Sequence, residues 1–237
     1  MPNPNGPYPG RQLFVGLTAD NRPALAYLVT GRSPQSRERK STLRDSVIII
    51  GPLGNVPYDP LRHYSALKWD DVSGIMAVSN GIQTEAIFET YRLLYNTGGV
   101  PTTQYLKKLM EGAGAEPDSL NTPRIGGLIT SHQKNVLYLM SIKRHDDPAR
   151  IAQVRPSPGT LTGISTYDGA LENPVPFSSF SRPPKIQFKG TDAHELAEYL
   201  FDLSAASYNG EDIRVCAVGG IYTGGRWSVA FINKQQR

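Results

Sequence analysis

The residues equipped for chemistry fall in five short polar strings. They are Gly31-Arg32-Ser33-Pro34-Gln35-Ser36-Arg37, His63-Tyr64-Ser65-Ala66-Leu67, Val78-Ser79-Asn80-Gly81, Leu120-Asn121-Thr122-Pro123-Arg124-Ile125 and Gly163-Ile164-Ser165-Thr166-Tyr167. Each sets hydrogen-bonding side chains beside an expected strand end, where a rigid scaffold presents binding groups. Other chemistries are missing. No glycine-rich turn ends in Gly-Lys-Ser/Thr, and no Gly-x-Gly-x-x-Gly follows the first expected strand, so neither phosphate-cradling motif is present. His63, His132, His145 and His194 lack ligand spacing and Cys216 is the single cysteine, which speaks against a structural zinc site. Cys216 sits in an apolar run without a neighbouring charge to lower its pKa, so an inert buried thiol is expected. With no Gly-x-Ser-x-Gly elbow either, nothing in the chain reads as covalent catalysis.

The elements that must position these strings are legible as periodic runs. Apolar stretches at 12–18, 24–30, 46–52, 73–80, 125–130, 135–142, 160–166, 214–222 and 226–233 predict strands. The run at 46–52 is continuous, the pattern of a strand covered on both faces. Ile87, Phe88, Tyr91, Leu94 and Tyr95 recur at helical spacing, predicting a helix capped by Thr84 that ends near Asn96 before Gly98-Gly99. A second helix, capped by Thr102, carries Leu106, Leu109 and Met110 and ends at Gly112. Asp192 and Glu195 form a capping box for a third helix through about Ser204. Residues 169–190, with Pro174, Pro176, Pro183 and Pro184, read as an irregular surface excursion. Strands at both ends with helices in two groups predict an α+β layered fold. The expected organisation is one domain over 12–237 preceded by a flexible arm at 1–11, whose four prolines and lack of an apolar segment do not suit a signal peptide.

Composition sets the outer limits. At 237 residues, 39% hydrophobic and 19% charged, the chain is long and apolar enough for a sizeable core. No apolar run suits a membrane-spanning helix, and a cytoplasmic protein is expected. The net charge of +4 is compatible with an anionic partner. Arg32, Arg37, Arg39, Lys40 and Arg44 form a basic stretch opposed only by Glu38. On charge alone a solvated loop accounts for it equally well. It carries no interleaved aromatics of the kind that stack on nucleic-acid bases.

Taken in order and at these spacings, the five strings resemble the archaeal-type IMP cyclohydrolase family from about residue 12 to the C-terminus. Val78–Gly81, Leu120–Ile125 and Ile164–Tyr167 are the most specific pieces. The resemblance implies a four-layer α-β-β-α sandwich like that of the N-terminal-nucleophile hydrolases. Those hydrolases use an exposed Ser, Thr or Cys at a processed N-terminus. This chain opens Met1-Pro2-Asn3, so the usual chemistry of the fold is not expected. The reaction implied is closure of the formylated aminoimidazole-carboxamide ribonucleotide (FAICAR) to IMP with loss of water. Positioning can supply much of that rate, because both reacting groups share one molecule. Placed donors and an acid or base supply more. No metal or cofactor is expected, no nucleic acid or membrane as partner, and a homo-oligomer is implied.

The resemblance assigns catalytic roles to Arg37, Tyr64 and Glu116, and substrate contacts to Arg32, Asn80, Gly81, Asn121, Thr122, Arg124 and Tyr167. Guanidinium forks at Arg32 and Arg37 suit a phosphate or a developing oxyanion. Tyr64 offers a phenol to the formyl oxygen, and Glu116 is the candidate acid/base. Asn80 and Gly81 present an amide and a backbone N–H to the base. Each has a plainer rival: surface solvation for the arginines, a core tyrosine, a solvated loop carboxylate, an ordinary Asn-Gly turn, a structural salt bridge for Arg124, and a merely pocket-shaping Tyr167. Three rival functions stay open. They are a purine-nucleotide-binding protein without ring closure, a nucleic-acid module built on residues 32–44, and an amide hydrolase of the parent fold.

Overall fold

The computed structural model of the chain describes residues 8–132, 135–177, 180 and 183–237. Residues 1–7 of the expected arm, and four positions of the 169–190 excursion, lie outside them. The chain opens with β1 (Arg11–Leu17), β2 (Pro23–Thr30) and the short helix α1 (Pro34–Arg37). Next come β3 (Arg39–Arg44), β4 (Val47–Pro52), β5 (Tyr64–Asp70) and β6 (Ile75–Ser79), then the helices α2 (Gln83–Thr97) and α3 (Thr103–Ala113). Four strands follow: β7 (Arg124–His132), β8 (Asn135–Lys143), β9 (Arg150–Val154) and β10 (Thr160–Ser165). The rungs β11 (Tyr167–Asp168) and β12 (Val175–Pro176) precede β13 (Lys185–Gln187) and the helix α4 (Ala193–Leu203). A small ladder, β14 (Ser207–Tyr208) with β15 (Glu211–Asp212), leads into β16 (Arg214–Thr223) and β17 (Arg226–Asn233).

The result is a mixed α/β structure with two large antiparallel sheets. One has six strands in the order β13-β10-β1-β2-β16-β17; the other runs β3 to β9 in chain order. Period-two alternation explains how the sheets stack. In β2, Leu25, Tyr27 and Val29 enter an apolar cluster shared by both sheets, whereas Ala24, Ala26 and Leu28 enter a second cluster beneath α4. In β6, Met76 and Val78 join the shared cluster while Ile75 and Ala77 meet Ile87, Phe88 and Tyr91 of α2 and Leu106 and Met110 of α3. Strands covered on both faces therefore read as near-continuous apolar runs.

Three features depart from the sequence expectations. The basic stretch is not simply a loop: Arg39–Arg44 is β3, paired with β4 from Arg39↔Pro52 to Arg44↔Val47, and Arg39 is only 1% exposed. Strands β5 and β9 are added, their mixed polar and apolar residues having given no clear run. Thr84 does not cap α2, which starts after Ile82 without a side-chain cap. Its hydroxyl pairs with that of Ser79 and reaches the Ala66 carbonyl instead, holding α2 against β5 and β6. Cys216 is buried and its thiol is pushed up to about 12 by that burial. Among the described residues no helix is long and apolar enough to cross a membrane.

Close approach of backbones at β1 and β10 depends on Gly163, which pairs with Phe14. A Cβ there would lie 2.4 Å from the Phe14 ring and 2.5 Å from the Leu13 carbonyl oxygen. Gly163→Ala is expected to lower stability by about 1–3 kcal/mol through this overpacking, measured by urea denaturation. Gly51→Ala, where a Cβ meets nothing within 4 Å, should leave stability unchanged or slightly raised.

Candidate functional site

Strand ends from both sheets deliver polar groups to one buried carboxylate. Glu116, in the loop from α3 to β7, is 2% exposed. Arg11, the first residue of β1, donates from Nη2 to both Glu116 oxygens at 2.8 Å. Asn80, just past β6, donates from Nδ2 to Glu116 Oε1 at 3.0 Å and to the Pro123 carbonyl at 2.9 Å. Its Oδ1 accepts from the Ile125 backbone N–H at 2.8 Å and from Gln83 Nε2 at 3.3 Å. One fully buried amide thus ties the end of β6, the start of α2, the start of β7 and the carboxylate together. Burial pushes the Glu116 carboxyl above its ordinary range, and the Arg11 guanidinium opposes that rise.

The approach to β7 is set by a turn. Asn121 has φ of 51°, and the Thr122 N–H donates to Asp118 Oδ1 at 2.8 Å. The Thr122 hydroxyl donates to Asp118 Oδ2, leaving its oxygen to accept from the Tyr167 phenol. Arg124 follows, its Nη1 3.3 Å from Gln83 Oε1. Gly81 is what lets it in, because a Cβ there would lie 2.2 Å from Arg124 Nη1. Burial lowers the pKa of Arg124, with Glu116 acting against the shift. Behind Arg11, the Tyr64 and Tyr27 hydroxyls are 2.8 Å apart. Both phenols are raised by burial and both sit within the field of Arg11.

Arg11 and Glu116 border a cavity of about 410 Å³. Tyr8 and Tyr167 also line it, stacked at 5.6 Å and 19°. Arg32, Ser33, Ser36 and Arg62 line it as well. Arg32 is held in place by Tyr8 and Tyr208, whose ring centroids lie 6.0 and 5.8 Å from its guanidinium carbon. Its Nη1 donates to the Leu171 and Glu172 carbonyls at 3.1 and 3.0 Å. The cavity therefore gathers a buried carboxyl, three arginines and two serine hydroxyls, with Asp59 and Asp118 beside them and Arg62 paired to Asp59. Such a lining has the donors to hold a polar anionic ligand.

Of the residues singled out in the sequence, Arg32, Glu116 and Tyr167 line this cavity. Tyr64, Asn80, Thr122 and Arg124 are buried and brace it from behind, and Gly81 makes room for Arg124. Two lie elsewhere. Asn121 faces a small hollow with Arg144 and His145. Arg37 borders a neighbouring groove of about 620 Å³ with Glu172 and Tyr208, and its Nη1 donates to the Arg32 carbonyl at 2.6 Å.

Sequence reasoning missed Tyr8, Arg11, Tyr27 and Arg62. Tyr8 and Arg11 fell inside the expected arm, yet the Thr30 N–H and hydroxyl both bond the Gly10 carbonyl at 2.8 Å. The Arg11 N–H also bonds Thr166 Oγ1 at 3.1 Å. A charged residue directly before an apolar run reads as solvent-facing, and no periodicity marks it otherwise. Tyr27 did leave a signal, as a phenol on the inward-facing positions of an otherwise aliphatic strand. Among the described residues, no group of three or more His, Cys, Asp or Glu could hold a metal ion.

The chain matches the family described as IMP cyclohydrolase-like protein over residues 8–226. It is 28% identical over 196 residues to the IMP cyclohydrolase of Methanocaldococcus jannaschii, covering 82% of this chain and 86% of that one. Identity to the Methanosphaera stadtmanae IMP cyclohydrolase is 24% over 230 residues, 95% of this chain and 99% of the other. A third, from Methanococcus maripaludis strain S2, is 26% identical over 197 residues, 82% and 88% of the two chains.

Asn80→Asp tests the buried amide. The substitution sets a second carboxylate against Glu116 and the Pro123 carbonyl, and two adjacent carboxylates cannot both ionise cheaply. A loss of about 2–4 kcal/mol is expected at pH 8. Mutual repulsion raises both carboxyls in the folded state, so the loss should ease as pH falls and one takes a proton. Urea denaturation at pH 8 and pH 5 checks this, and equal losses at both would contradict it.

Proposed function

This chain belongs to the IMP cyclohydrolase-like family, matched from residue 8 to residue 226, and on that premise we propose that it cyclises FAICAR to IMP, the last step of purine biosynthesis. The observation that carries the reading is the buried Glu116 carboxyl in a cavity that Arg32 and Arg62 also line. An acid/base and cations within one cavity are what a purine ribonucleotide precursor requires.

Ring closure joins the carboxamide nitrogen to the formyl carbon and breaks the bond from that carbon to its oxygen. Water leaves with the oxygen and two protons, one from the carboxamide nitrogen and one from the formamido nitrogen. Glu116, as carboxylate, takes the carboxamide proton during attack and passes it to the formyl oxygen, which becomes a hydroxyl. As the C–O bond breaks it takes the formamido proton and delivers it to that hydroxyl, so that water leaves and the carboxylate is restored. A carboxyl raised by burial suits both halves of that cycle. The Tyr64 phenol, kept neutral by burial and paired with Tyr27, does not line the cavity and acts from behind Arg11, not on the formyl oxygen. Arg32, Arg62, Ser33 and Ser36 receive the phosphate. Arg37 acts through Arg32, whose carbonyl it holds. Asn80, Gly81, Thr122 and Arg124 support the floor, and Tyr167 forms a wall.

Three of the apolar clusters, one between the sheets and one beneath each helical group, support reading the fold as a four-layer α-β-β-α sandwich like that of the N-terminal-nucleophile hydrolases. The same family reading leads us to expect a homo-oligomer.

Purified protein supplied with FAICAR is expected to form IMP, followed by chromatography of the product. Glu116→Gln should lower kcat about 10²–10⁴-fold. Arg32→Ala should raise KM about tenfold or more while changing kcat less. The base form of Glu116 is required, so kcat/KM should fall as pH drops through the raised carboxyl value, above the usual glutamate range. Folded protein that binds IMP but never forms it would replace this reading with a purine-nucleotide-binding role.

A further inference from the structure

Arg11 and Glu116 are 105 positions apart in sequence, and their contact spans from the six-stranded sheet to the loop entering the seven-stranded one. The pair is desolvated on both sides, with side-chain exposures of 12% and 2%. One guanidinium nitrogen serves both carboxylate oxygens at 2.8 Å, a charge-assisted contact that leaves the carboxylate little rotational freedom. Arg11 Nε, shut off from solvent, has no hydrogen-bond partner among the described residues. A buried cation with an unspent donor is a poor device for stability alone.

We infer that Arg11 is a positioning residue for ring closure: it fixes the Glu116 carboxylate, in ionised form, where it can take the carboxamide proton. The inference rests on the cyclohydrolase reading and adds a residue and a role to it. The other groups facing Glu116 do not supply this. Asn80, from the end of β6, donates one bond but carries no charge. Arg124, from β7, adds positive charge that also favours the ionised carboxyl, but sends its Nη1 to Gln83 and does not hold the Glu116 oxygens, so it does not orient them. Asp118, in the same loop, repels the carboxylate. Tyr64 of β5 and Tyr27 of β2 are neutral phenols paired with each other.

Arg11→Met and Arg11→Lys, alone and combined with Glu116→Gln, test it. Arg11→Met is expected to lower kcat about 100-fold with KM changed less than about threefold. Its acid limb of kcat/KM should move to higher pH by about one unit or more. Arg11→Lys should recover most of the limb position, because the ammonium restores the charge. In the Glu116→Gln background, Arg11→Met should cost little further kcat, since the group it serves is gone. If Arg11→Met does not fold, Arg11→Gln is expected to show the same upward limb. A folded variant with an unmoved limb and kcat within about threefold of the parent would overturn the inference, as would full additivity with Glu116→Gln. Titration of the Glu116 carboxyl carbon by NMR reads the pair without turnover. If the protein proves inactive on FAICAR, a higher carboxyl titration in Arg11→Met than in the parent would keep the pairing and discard the cyclohydrolase reading. Identical titrations would overturn the role of Arg11 whatever the activity.

Discussion

Placing an ionisable carboxyl between two sheets is the constraint around which the rest is arranged. Desolvating Glu116 costs far more than any single contact returns, so its oxygens must be met by donors held at fixed positions. Arg11 and Asn80 provide them, but neither can do so from a mobile loop. Arg11 is fixed because β1 is hydrogen-bonded on both sides, to β2 and β10. Asn80 is fixed because its own four contacts join three elements. The apolar cluster between the sheets keeps water out and holds the two halves in register. Core and site are in this sense one structure, with the polar centre tolerable only inside the packing that surrounds it.

The cavity beyond that centre follows a different logic. Its cationic side rests on α1 and the loop at 59–63, where Ser33 accepts the Ser36 N–H at 3.2 Å and Asp59 holds Arg62 at 2.7 Å. Arg32 is oriented by two aromatic rings and two carbonyls before any ligand arrives. Ordering costs for that side chain are therefore met by folding, which leaves more of the contact free energy for binding.

The sequence was most legible where a physical period was strong. Strands covered on both faces, such as β2 and β6, could be read from apolar runs, and α4 from its Asp192 cap, which does accept from the His194 and Glu195 N–H groups. Legibility failed where tertiary contacts overrule local pattern. Arg39 belongs to a stretch of charges that looks solvated, yet its Nε donates to the Ser36 carbonyl at 2.7 Å inside the structure. Thr84 has the residue type of a cap and serves as a hydroxyl bridge to Ser79. In the site, Glu116, Arg32 and Tyr167 came from a family resemblance. Arg11 was hidden because its partner lies 105 residues away, and no local spacing encodes such a meeting.

The two sheets also differ in how they use the chain. The seven-stranded sheet joins consecutive strands, so each new strand finds its neighbour already made. The six-stranded sheet places β2 against β16, which brings residues near 25 beside residues near 220. During synthesis from the N-terminus, the first sheet can pair progressively, while the β1–β2 hairpin must wait for the last strands to emerge. Arg11 belongs to that waiting hairpin. Assembly around the polar centre is thereby tied to the emergence of β16, and a ribosome-bound fragment lacking it would leave one edge of β2 unpaired.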